Sequence, residues 1–111
     1  MKPFEDAWNE LQHASDARTS GFEGRARVCA RRSAGLAVRE YVIVKHKIFP
    51  SNSLFNLLVD ETIRGLLPQQ LIDSLDRLSL RVNEQFQLPA GVNLISEAKL
   101  VISLLEANLE D

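Results

Sequence analysis

The stretch that decides the fold is Arg25-Ala26-Arg27-Val28-Cys29-Ala30-Arg31-Arg32-Ser33-Ala34-Gly35-Leu36-Ala37-Val38-Arg39-Glu40-Tyr41-Val42-Ile43-Val44. Ala26, Ala30, Ser33, Ala37, Tyr41 and Val44 recur at spacings of three and four, which places them on one face of an α-helix. That face is built mainly of small side chains, so a neighbouring helix can approach closely. Cys29, Leu36 and Ile43 flank it and widen the buried arc, and Cys29 reads as a small buried hydrophobe. The run Tyr41-Val42-Ile43-Val44 is β-branched, but it continues the same periodicity without a breaker and reads as helix. The helix is predicted over 22–47, ending at Ile48-Phe49-Pro50, because a residue before proline disfavours the helical region.

Helical periodicity extends outward in both directions. Phe4, Ala7, Trp8, Leu11, Ala14 and Ser15 predict a first helix over 3–18, with Pro3 in its first turn and Thr19-Ser20-Gly21 stopping it. Ser51-Asn52-Ser53 supplies caps for a third helix over 53–64, ended by Gly65. Pro68 opens a fourth over 68–85, with Leu71, Leu75, Leu78 and Val82 inward. Leu88 to Val92 is a loop, and Asn93 caps a fifth helix over 94–109 whose stripe is Leu94, Ile95, Ala98, Val101, Ile102, Leu105 and Leu109. The expected fold is all-α, an antiparallel bundle of four or five helices in one domain, residues 1–111.

Composition sets further bounds. The chain has 111 residues, 45% hydrophobic and 25% charged, and no apolar run near the ~18 residues of a membrane span, so no membrane partner is expected. A single cysteine excludes an internal disulfide and a zinc cluster, and the acidic start MKPFEDAWNE lacks the apolar stretch of a secretory signal, so a cytoplasmic location is expected. No HExxH, CxxC, P-loop, GxSxG or GxGxxG is present, and neither metal nor cofactor is expected. Asp60-Glu61 and the Asp73/Asp76 pair fit a solvated face or salt bridges to the second helix.

The net charge of −2 hides an asymmetry: residues 25–47 carry +6, residues 1–24 −3 and residues 48–111 −5. Arg25, Arg32, Arg39 and His46 form one line with a seven-residue repeat, and Arg27 and Arg31 form a second. The five arginines have three uses open to them: pairing with Asp73, Asp76, Glu84 or Glu97, holding phosphates of RNA or a nucleotide, or rimming a homodimer. Few aromatics stand nearby for base stacking, only Phe22, Tyr41 and Phe49. Between the arginine lines run Val28, Gly35 and Val42, an apolar strip expected to be a second packing surface. Either another helix of the bundle or a second copy of the chain can cover it, and the expected homodimer uses this strip.

The run Gly21-Phe22-Glu23-Gly24-Arg25-Ala26, followed by the alanine-rich helix to Leu36-Ala37-Val38-Arg39-Glu40-Tyr41, resembles the second helix of HEPN-type bundles. Ser53-Leu54-Phe55-Asn56-Leu57-Leu58-Val59-Asp60 and Leu71-Ile72-Asp73-Ser74-Leu75-Asp76-Arg77-Leu78 resemble the helices that follow there. The resemblance covers about residues 5–87 and lies in the pattern of helices and small residues. It implies a small helical domain that dimerises, partners a nucleotidyltransferase, or binds RNA or a nucleotide. Some relatives are metal-independent ribonucleases with an Arg-x4–6-His motif on the helix corresponding to 68–85. Arg81-Val82-Asn83-Glu84 stands there without a histidine, which speaks against catalysis. Arg39 and His46 have the right spacing on the wrong helix, and are roughly 10 Å apart along its axis. The leading expectation is a non-catalytic HEPN-like association domain. The alternatives are a purely structural homodimer and a ribonuclease using Arg39 and His46.

Overall fold

The computed structural model describes residues 3–80, 88 and 91–109. Within them the elements are α1 (Glu5–Thr19), α2 (Glu23–His46), α3 (Leu54–Val59), α4 (Glu61–Arg64), a single 3-10 turn (Gln69–Leu71), α5 (Ile72–Leu78) and α6 (Leu94–Leu109). No strand occurs among the described residues, so the all-helical reading stands, including the β-branched run 41–44, which is helical.

The three long helices form the frame, with α2 packed on α1, α6 and α3. Pairings fix their directions. Arg18 meets Glu23 and Arg32 meets Glu10, so α1 and α2 are antiparallel. Arg18 also reaches Asn93 just before α6, while Trp8 reaches Glu106 near its far end, so α1 and α6 are antiparallel too. It follows that α2 and α6 run the same way, and Lys45 of α2 accordingly donates to the Asn108 carbonyl at the end of α6. The bundle is therefore not uniformly antiparallel, because the segment from 48 to 80 crosses back between two parallel helices.

Small side chains make the frame tight. Ala7, Ala14 and Ala17 of α1, Ala26, Ala30, Ala34 and Ala37 of α2, and Ala98 of α6 are all buried. Ser33 is buried among them and its hydroxyl donates to the Ala30 carbonyl at 2.7 Å, so the position costs no unsatisfied polar group. The expected core face holds at Ala26, Ala30, Ser33, Ala37 and Tyr41, but Val44 is partly exposed. The buried arc is much wider than one face: Ala34, Gly35, Val38 and Val42 are buried as well, because α3 covers the side that α1 and α6 leave open.

The middle segment departs most from expectation. One helix over 53–64 is instead two, broken at Asp60, whose backbone is extended at φ −69°, ψ 122°. The Asp60 carboxylate accepts from the Ile63 amide at 2.9 Å and from Asn52 at 3.2 Å, so it starts α4 where a continuous helix would have buried that amide's bond in the ladder. Ser53 caps α3 as expected, accepting from the Asn56 amide. Past Pro68 the chain makes the 3-10 turn before α5, and α5 ends at Leu78 with both the amide and the hydroxyl of Ser79 donating to Leu75. The predicted continuation of this helix over 81–85, with Val82, lies outside the described residues.

The helix ends also explain two unusual backbones. Phe4 is left-handed at φ 69° immediately before α1, yet its ring is 97% withdrawn from solvent at 3% exposure. Burying a phenylalanine contributes about 1.5–3 kcal/mol, enough to offset the ~1–2 kcal/mol of a left-handed non-glycine residue. Lys47 is left-handed at φ 59° after α2, with its amide on the Ile43 carbonyl and the Ile48 amide on the Val42 carbonyl, a Schellman-type end.

Candidate functional site

The strip Val28, Gly35 and Val42 is split by the fold. Val42 is fully buried and Gly35 lies under α3, where a Cβ on it would stand 2.5 Å from the Leu54 carbonyl oxygen and 2.9 Å from the Leu54 Cβ. Only Val28, 53% exposed, faces water. The strip is a packing surface, as its glycine suggested, but another helix of the same chain covers it. The homodimer interface assigned to these three residues is therefore corrected: two of them are not at the surface.

Among the described residues, Asp76 and Glu97, two of the acidic partners expected for the arginines of α2, are taken by other cations. Asp76 pairs with Arg64 at 2.7 Å, and Glu97 accepts from Arg77 and from Ser74. Glu84 lies outside the described residues. The oxygens that α2 does meet come from α1, from its own first turn and from helix ends. Arg32 donates to Glu10 at 2.7 Å, and Arg27 is 3.9 Å from Glu23. Arg31 donates to the carbonyls of Leu78 and Leu80, at 2.9 and 2.6 Å. A cation at the carbonyl end of α5 complements the helix dipole. Arg39 borders a small pocket with Phe4, Glu5, Asp6 and Glu40. His46 sits elsewhere, with Nε2 3.0 Å from the Leu66 carbonyl and its ring edge-on to Tyr41. Arg39 and His46 thus have different surroundings, and the histidine's nitrogen is occupied by main chain. Arg81 lies outside the described residues.

What remains is the far end of the arginine line. Arg25 stacks its guanidinium over Phe22 at 5.6 Å from the ring centroid, and Phe22 itself is 59% exposed. Both line an open groove of about 420 Å³ between the end of α1 and the start of α2, together with His13, Asp16 and Cys29. Phe22 is placed there because α1 ends at a left-handed Gly21, φ 84°, which turns the chain directly into α2. Asp16 is held by Gln12 at 2.9 Å on one wall.

Two features limit the chemistry of this groove. Burial, and next the Glu10 carboxylate, push the Cys29 thiol above its ordinary value, so it is not poised as a thiolate nucleophile. Burial acts to raise the Glu10 carboxyl, but hydrogen bonds from His13 (2.9 Å) and Arg32 (2.7 Å) outweigh it and hold the group below its ordinary range. Glu10 is a fixed anion. The groove offers a stacking face and a cation, and its His13 is tied to the Glu10 carboxylate. No group of three or more metal-ligating side chains occurs among the described residues.

Arg18 is the residue that the sequence left unremarked. Its guanidinium makes a bidentate pair with Glu23 (2.8 and 2.7 Å) and donates to Asn93 at 2.9 Å, joining α1, α2 and α6 at one corner. Its signal was a basic residue in the last turn of one helix, five positions before an acidic one in the first turn of the next. No family model matches the chain, and neither does any curated protein or any solved structure.

Proposed function

We propose that the chain is a non-catalytic, HEPN-like helical binding domain that associates with RNA or a free nucleotide at the Phe22–Arg25 end of the α1/α2 groove. The observation that carries this reading is the exposed Phe22 ring with the Arg25 guanidinium over it, at the mouth of a groove of about 420 Å³. An aromatic face accepts a base by stacking, and an adjacent guanidinium takes a phosphate in a planar fork. Arg25 makes no ion pair with a described residue, whereas Arg32, Arg27 and Arg31 are engaged by the chain's own oxygens. Arg39 borders Glu5, Asp6 and Glu40, which repel an anion, so Arg25, beside an exposed aromatic ring, is the arginine of α2 best suited to an outside phosphate. Partnership with a nucleotidyltransferase rests on the family resemblance alone. The ribonuclease reading loses its support with Arg39 and His46 in separate surroundings, and a homodimer through Gly35 and Val42 is not retained.

The test is anisotropy of a labelled single-stranded RNA of mixed sequence at two salt concentrations, with wild type, Phe22→Ala and Arg25→Ala. The reading expects weak binding with a shallow salt slope, about −0.7 for one phosphate contact. Phe22→Ala should weaken it by about 1–3 kcal/mol, and Arg25→Ala should flatten the slope. Binding that neither substitution changes would place the ligand elsewhere, and no binding of RNA or of 5′-AMP at millimolar concentration would end the reading.

A further inference from the structure

We infer that a second groove, between α1 and α6, is a binding site for a small amphipathic carboxylate with an unbranched apolar body, of the medium-chain fatty acid type. The groove is open to solvent and offers about 420 Å³, within the usual range for a small-molecule site. Its apolar lining is Trp8, Leu11 and Ile95, with the hydroxyl residues Ser15 and Ser96 and the ammonium of Lys99 beside them. Among the described lining residues Lys99 is the only charged one, and none is a carboxylate. Lys99 is exposed and has no ion pair or hydrogen bond with any described residue. Several other cations of the bundle, Arg18, Arg32, Arg64 and Arg77, each have an acidic partner, whereas Lys99 has none among the described residues.

Charge also sets the ligand's direction. Trp8 is anchored by its indole N–H, which donates to Glu106 at 3.1 Å. On that side Trp8 lines a different depression together with Glu5 and Glu106. An anion is repelled there and attracted at Lys99, so the head group lies at Lys99 and the apolar body lies along Leu11, Ile95 and the tryptophan ring. A cationic amphiphile has no counter-charge in the Lys99 groove, and a neutral one gains only the apolar contact.

Trp8 is the one tryptophan of the chain, so its fluorescence reports on this groove directly. The experiment titrates octanoate, octan-1-ol and octylammonium, each below its micellar concentration, into the intact protein and into Lys99→Ala. Octanoate should shift the Trp8 emission saturably, bind about threefold more tightly than octan-1-ol, as an exposed charge pair allows, and fall to the level of octan-1-ol in Lys99→Ala. Octylammonium should respond about threefold more weakly than octan-1-ol at this groove, and that difference should disappear in Lys99→Ala. Lengthening the acid by two methylenes should tighten binding by up to about fifteenfold, at ~0.8 kcal/mol per fully buried methylene. The inference is overturned by the absence of a saturable shift with octanoate, by equal responses to all three amphiphiles, or by an unchanged response in Lys99→Ala. A shift that accompanies loss of the far-ultraviolet helical signal reports denaturation and overturns it as well.

Discussion

The frame of α1, α2 and α6 and the middle segment from 48 to 80 solve the same problem in different ways. Frame helices run 15, 24 and 16 residues and bury stripes of alanine, valine and leucine along their length. Helices of the middle segment run six, four and seven residues, too short to be stable by propagation. They depend on single groups at their ends: Ser53 for α3, Asp60 for α4, Arg31 and Ser79 for α5. The difference teaches that a long helix tolerates a poor terminus, as α1 does with no side-chain cap, whereas a short one is defined by its termini. The two regions meet at Gly35, where the backbone of α3 lies almost on the backbone of α2.

That meeting point gives the largest expected effect. Gly35→Leu should destabilise the protein by about 3 kcal/mol or more, because the side chain has no space beneath Leu54. Urea unfolding with a circular dichroism readout measures it, and a change under 1 kcal/mol would mean that α3 can lift off the frame. Gly35→Ala is the sharper version. Alanine should gain about 1 kcal/mol in helix propensity, yet the contact at 2.5 Å is with a backbone oxygen that cannot rotate away. The net expectation is destabilisation by about 1–2 kcal/mol, and a stabilised variant would show that the middle segment yields to the frame.

Asp60→Ala tests the middle segment alone. It removes the cap of α4 and the partner of Asn52, so the loss should be about 1 kcal/mol. The corresponding substitution in the frame, at a position without a capping bond such as Ser20, should change the melting temperature negligibly.

Acid should act on the frame through Glu23. The hydrogen bond from Arg18 holds its carboxyl below the ordinary carboxylate value, with burial opposing. A carboxylate with a depressed folded-state pKa adds stability above its unfolded pKa, and that part is lost as pH falls through the folded value. Stability should therefore decline below the ordinary carboxylate range, and less steeply in Glu23→Gln, as followed by unfolding midpoints at stepped pH. A small gain is expected at Lys47. Lys47→Gly relieves a left-handed lysine at φ 59° and should stabilise the end of α2 by up to about 1 kcal/mol. A loss instead would show that the Lys47 ammonium, which donates to the Val44 carbonyl, outweighs the strain.

The frame was legible because its signal is repetition: three- and four-residue spacings over Ala26 to Tyr41 and Leu94 to Leu105 survive any tertiary arrangement. The caps Ser53 and Asn93 were legible for a local reason, since the bond each makes lies within three residues. Asp60 has the same chemistry, but the apolar residues around it continue a helical spacing and mask the break. Gly35 announced a close approach without naming what approaches, because Leu54 is fixed only by tertiary packing. The described partners of Arg31 were hidden for a related reason. Arg31 ends on main-chain carbonyls, which every residue carries, so no side-chain inventory could point to Leu78 and Leu80. Of the groove beside Arg25, the sequence offered Phe22 as a nearby aromatic but not its union with His13, Asp16 and Cys29, which the α1/α2 register alone creates.

Asn93 carries a consequence of a different kind. Its side-chain oxygen accepts from the amides of Ile95 and Ser96, which starts α6, and also from Arg18 of α1. Nucleation of a helix and docking of that helix thus share one atom. The first turn of α6 and the last turn of α1 should open as a single cooperative unit rather than fray separately, and their amides should exchange with solvent deuterium at matched rates.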